Sequence, residues 1–77
     1  ATAGDLRDAC KAGDAARAGA AAHMLKSSSR SIGALRLGDL CAEIEKAGRS
    51  GATARLAELL PRFDSELAAV QAHLDAG

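Results

Sequence analysis

Between residues 52 and 75, Leu56, Leu59, Leu60, Phe63, Leu67, Val70 and Leu74 recur mostly at intervals of three and four. That spacing puts apolar side chains on one face of a helix with about 3.6 residues per turn, and a strand of period two cannot use it. The phase holds across Pro61. Proline removes a backbone donor and crowds the preceding turn, so the spacing predicts one helix over 52–75 with a kink at Pro61. An amphipathic helix this long needs other apolar faces to pack against.

Those faces lie upstream. Leu37, Leu40, Cys41 and Ile44 step at i, i+3, i+4, i+7 and predict a helix over 35–47, with Glu43, Lys46 and Arg49 off the stripe and a turn at Gly48–Gly51. Over 15–31, behind Asp14 as N-cap, Ala18, Ala22, Leu25, Ser29 and Ile32 fall within roughly 80° at about 100° per residue. Ser29 faces inward, where its hydroxyl is expected to bond back to the i−4 carbonyl. Gly19 weakens this helix or admits a close neighbour, and Gly33 ends it in a left-handed conformation. A shorter helix over 5–12, capped by Asp5 and stopped at Gly13, carries Leu6, Ala9 and Cys10 on one face. At two to three turns it cannot stand alone.

The reading is a single all-α domain over 1–77, an antiparallel up-down four-helix bundle with a short first helix. One Phe, no Trp and no Tyr leave little with which to build a β-sandwich. Seventy-seven residues allow one small core. Cys10 and Cys41 occupy apolar positions and read as buried thiols, with a disulfide or a metal site as the alternatives.

The chemistry centres on the second helix. His23 and Arg30 lie on the side away from the inward sector, flanked by Lys26 and Ser27. An exposed imidazole on a rigid helix, with cations one and two turns on and a small hydroxyl residue at i+4, suits a nucleophile that carries a phosphoryl group. His73 has no such surroundings and reads as a surface residue. The formal net charge is zero, which gives nucleic-acid binding no global support. No apolar run has the length of a membrane span, and no His, Cys or carboxylate cluster has metal-ligand spacing. A Ser-His-Asp hydrolase lacks a nucleophile elbow and a domain large enough for a cleft.

The run His23, Leu25, Lys26, Ser27, Ser28, Ser29, Gly33, Ala34, Leu37 resembles the signature of histidine-containing phosphotransfer (HPt) domains, H-x-L-K-G/S-S-S/A-x-x-x-G-A-x-x-L. The likeness extends from about Leu6 to Leu74 and is generic toward the ends. It implies a four-helix bundle with the active histidine exposed midway along one helix. It implies a phosphorelay carrier, in which Nε2 of His23 takes a phosphoryl group from a receiver-domain aspartate and passes it to another receiver. Lys26 would then stabilise phosphoryl charge, and Arg30 would extend the cationic patch. Ala20, Met24 and Ser27 would form the docking patch, with Ser27 at the position where many members have glycine. Gly33 would be structural. The domain itself would bind no cofactor or metal, and Mg²⁺ would sit on the partner receiver.

A histidine-kinase dimerisation domain also displays a helical histidine. Its acidic residue after the histidine and its later proline have no match at Met24 and Ser28, and there is no glycine-rich ATP loop. The parent expected from the resemblance is a bacterial hybrid sensor kinase with this domain at its C-terminus. The domain would then be cytoplasmic, in a protein that can itself be membrane-anchored. The first helix is shorter than is usual in the family, and a chain beginning at Ala1 reads as a domain excised from a longer protein. The competing reading is a helical docking or dimerisation module without chemistry, built on whatever part of the Leu37–Ile44 and Leu56–Leu74 stripes the short first helix leaves uncovered.

Overall fold

The computed structural model describes residues 3–76, with side chains described through Ala72. Four helices follow one another through short turns: α1 (Ala3–Ala12), α2 (Ala15–Ser31), α3 (Leu35–Ser50) and α4 (Thr53–Ala76). Together they form an elongated antiparallel bundle of 37 × 19 × 17 Å. The closest pairing is α2 with α3; α4 packs on α3, and α1 bridges α2 and α4. Leu6, Ile44, Leu56, Leu59 and Phe63 are its largest fully buried apolar side chains, so all the predicted stripes meet in one core.

Alanine fills α2, and its small side chains let α3 approach closely. The two backbones nearly touch where Gly19 meets Gly48. A Cβ on Gly48 would lie 2.6 Å from the Ala15 carbonyl oxygen and 2.7 Å from Gly19 Cα. Only glycine fits there. The close approach expected at Gly19 therefore depends more on Gly48, which is a helical residue. α3 runs one turn beyond the predicted 47, and the turn shrinks to Gly51–Ala52. Gly51, in the left-handed region, donates its N–H to the carbonyls of Ala47 and Gly48, and the Ala52 N–H reaches Ala47 O at 2.9 Å.

Other ends also differ from expectation. α1 starts at Ala3, which puts Asp5 inside the first turn, where its charge faces the positive end of the helix. Asp14 caps α2 as expected, accepting from the Arg17 N–H at 3.2 Å. Gly33 is left-handed at φ 79°. Ile32 leaves the inward sector and is 59 % exposed, because α2 stops at Ser31 and Ile32 is already its C-cap. Ser28 and Ser31 bond back to the carbonyls of Met24 and Ser27. Buried Ser29 instead pairs its hydroxyl with the Cys41 thiol, which burial pushes up to about 11. Both cysteines are free and buried.

α4 runs unbroken through Pro61, whose ring lies on the exposed side together with Ala57, the residue whose carbonyl lost its donor. Leu67 and Val70 are half-buried against the core. The side chains of His73 and Leu74 lie outside the described residues. Arg7 ties α1 to α4, with Nε and one terminal nitrogen donating to Asp64 Oδ1 at 3.0 and 2.8 Å. No helix among the described residues is long and apolar enough to cross a membrane.

Candidate functional site

Midway along α2, His23 holds its ring 58 % exposed. Below it, on α3, lies Glu45, whose side chain is only 6 % exposed. A carboxylate so placed needs compensation. Three side chains supply it: Lys26 Nζ at 2.7 Å from Oε1, His23 Nδ1 at 2.8 Å from Oε2, and a terminal Arg49 nitrogen at 2.6 Å from Oε2. The Lys26 hydrogen bond, with those of His23 and Arg49 behind it, holds the carboxyl down at about 2 against the opposing effect of desolvation.

The protonation of the histidine follows from that carboxylate. Ionised at neutral pH, Glu45 can only accept, so the proton on His23 sits on Nδ1. In the neutral ring the lone pair is then on Nε2, at the open edge. Helix geometry explains the set. Lys26 is about 80° from the centre of the inward sector, close enough to α3 for its stem to lie along the groove and its ammonium to reach down. Glu45 and Arg49 are an i,i+4 pair on α3. The Gly19–Gly48 contact lies one turn from both His23 and Glu45, and it fixes the distance between the two helices.

An open groove of about 610 Å³ runs from His23 along the α2–α3 seam, lined by Ala16, Gly19, Ala20, His23, Met24, Glu45, Gly48 and Arg49. Ala20 and Met24 thus flank the imidazole on an apolar surface, and Met24 is exposed. Ser27 is exposed one turn on, outside the groove lining. Arg30 is not part of the Glu45 cluster. Its side chain lies against Gly38 at the start of α3, with Cγ 3.3 Å from where a Cβ on Gly38 would be. Gly33 sits in the α2–α3 turn, away from the polar cluster.

Glu45 and Arg49 are the members that sequence reasoning missed. A signal existed. Gly38, Cys41, Glu45 and Gly48 repeat at three, four and three, a second edge of α3 beside its leucine stripe. A carboxylate set among small residues on a helix that faces an alanine-rich neighbour must find cations on that neighbour. Among the described residues no group of three or more His, Cys, Asp or Glu side chains could hold a metal ion.

Comparison with known proteins gives one family: the model of the Hpt domain matches residues 1–73. No curated protein and no solved structure matches the chain.

Proposed function

The chain belongs to the Hpt domain family, and from that premise we propose that His23 is its phospho-acceptor, taking a phosphoryl group from one receiver-domain aspartate and delivering it to another. The family makes the chain a phosphorelay carrier of two-component signalling. The observation that carries the assignment of His23 is its Nδ1 contact with Glu45, 2.8 Å long, which leaves Nε2 open and unprotonated.

In the transfer, the Nε2 lone pair attacks the phosphorus of the aspartyl phosphate. The N–P bond forms, the P–O bond to aspartate breaks, and the carboxylate leaves with the electron pair. The ring gains positive charge as it attacks. The Nδ1 proton stays shared with Glu45, whose negative charge balances that gain. Delivery to the second receiver runs the same path in reverse. Lys26 and Arg49 keep Glu45 ionised and place two cations beside the ring. A phosphoryl group on Nε2 competes with Glu45 for them. Arg30, stretched over Gly38, has a smaller part than these two. Ala20 and Met24 offer the receiver an apolar landing beside His23, and Ser27 stays small enough to let it approach. The receiver brings the Mg²⁺. The parent protein on this reading is a bacterial hybrid sensor kinase.

The test is phosphoryl uptake from a phosphorylated receiver domain, followed by phosphorus NMR and by the acid and base lability of the adduct. An acid-labile, base-stable adduct that is lost in His23→Gln is the expected result. Uptake by His23→Gln equal to the unmodified chain would overturn the assignment.

A further inference from the structure

Beside the apolar groove, and sharing Glu45 and Arg49 with it, is a second cleft of about 380 Å³ lined by Lys26, Ala42, Glu45, Lys46, Arg49 and Ser50. Its lining holds three cations and one carboxylate. That carboxylate is already engaged by Lys26, Arg49 and His23. The cleft therefore has a surplus of positive charge on a chain whose formal net charge is zero.

Lys46 is the exposed member of this surplus. It makes no ion pair among the described residues, although a partner is close in sequence. Glu43, one turn back at i−3, is taken by Arg55 of α4 at 3.3 Å, and Arg55 also binds Glu58 at 3.1 Å. The Ser50 hydroxyl, one turn forward, is spent on the Ala47 carbonyl. The neighbouring charges thus pair with one another and leave the Lys46 ammonium unmatched, facing the same side as the imidazole's groove.

We infer that Lys46 is a specificity-determining docking residue, which pairs with an acidic side chain on the receiver domain that meets His23. This rests on the carrier reading. A receiver centred on His23 covers the apolar groove and, through the shared Glu45–Arg49 wall, the cationic cleft beside it. Lys26 and Arg49 are held down on Glu45, whereas Lys46 is free to reach a carboxylate at the rim. Receivers with an acidic residue at that point are favoured, and those with a basic one are repelled. Lys46 touches no reacting atom, so it acts on encounter and leaves the transfer step unchanged.

The experiment uses the full chain and the receiver domain that phosphorylates it fastest among a panel of receivers. Transfer is measured at several receiver concentrations, in low salt and in about 0.5 M salt, where charges beyond roughly 4–5 Å are screened. Lys46→Glu is expected to raise the half-saturating receiver concentration about tenfold in low salt, with the maximal rate and the phosphohistidine lifetime unchanged. The difference should shrink in high salt, and Lys46→Arg should behave as the unmodified chain. A rise of less than threefold in low salt, or one that persists undiminished in high salt, overturns the docking role. A shortened phosphohistidine lifetime also overturns it, since Lys46 would then act on the phosphoryl group. If the unmodified chain takes phosphate from no receiver, the carrier reading falls and Lys46's role with it. If the unmodified chain is active and Lys46→Glu is indistinguishable from it, only the role of Lys46 falls.

Discussion

Glu45 Oε2 accepts from both His23 Nδ1, at 2.8 Å, and Arg49, at 2.6 Å, so a single buried oxygen sets the tautomer of the exposed imidazole and anchors a cation beside it. Charge and hydrogen-bond acceptance can be separated by substitution. Glu45→Ala removes both and should slow phosphoryl transfer on the order of 10-fold to 100-fold, the usual cost of losing a group that orients a working imidazole. Glu45→Gln keeps an acceptor for the Nδ1 proton without the charge, and its rate should fall between. Single-turnover kinetics with a phosphorylated receiver measure the rates. Imidazole ¹⁵N shifts of His23 should show the Nδ1–H tautomer in the unmodified chain and a mixture in Glu45→Ala.

The same carboxylate links the fold to pH. Its folded-state value of about 2 lies below its ordinary value of 4.5, so it contributes stability that is complete above pH 4.5 and is lost as pH falls toward 2. Melting temperature followed by circular dichroism should decline through that window. In Glu45→Gln the decline should be shallower. Parallel declines in the two chains would mean that other carboxylates govern acid unfolding.

The helix crossing gives opposite signs for two glycines. Gly48→Ala forces a Cβ to within 2.6–2.7 Å of α2 backbone atoms and should cost about 1–3 kcal/mol, with slower transfer because α3 carries Glu45. At Gly19 a Cβ would meet its nearest neighbours at 3.5–3.6 Å, an ordinary contact. Gly19→Ala should therefore gain up to about 1 kcal/mol in helix propensity. Chemical denaturation of both variants reads the difference.

Arg7 and Asp64 join α1 to α4 with side chains 38 % and 41 % exposed. A double-mutant cycle over Arg7→Ala and Asp64→Ala should give a coupling of only about 0.2–1 kcal/mol, because water screens the pair. Transfer rates should not change, since neither residue approaches α2 or α3 at the site.

The all-α bundle was legible because each helix announces its own buried face. Leu56 to Val70 and Leu37 to Ile44 keep helical phase, and turn glycines separate the segments. His23 and Lys26 stood out by motif. Glu45 and Arg49 did not, because their importance comes from a neighbour 22 and 26 residues away in sequence, and periodicity along one helix says nothing about what lies across it. Gly48 was read as a turn residue for the same reason: glycine at a helix end and glycine at a helix crossing look alike until the partner helix is in place. Arg30 was placed with the cations near His23 from its angle on α2 alone. Two turns separate the residues along the axis, and its stem packs over Gly38.

His23, Lys26, Glu45 and Arg49 all belong to the α2–α3 hairpin, while α1 and α4 contribute only packing to it. Two kinds of mutational freedom result. In the outer helices, drift is bounded by volume: any apolar set that fills the space around Ile44 and Phe63 serves. In the hairpin, the backbone contact at Gly48 and the crowded carboxylate below the imidazole leave almost no neutral changes. A lineage of such carriers can therefore diverge widely in α1 and α4, and change partners at the exposed rim, without disturbing the four side chains that prepare the nucleophile.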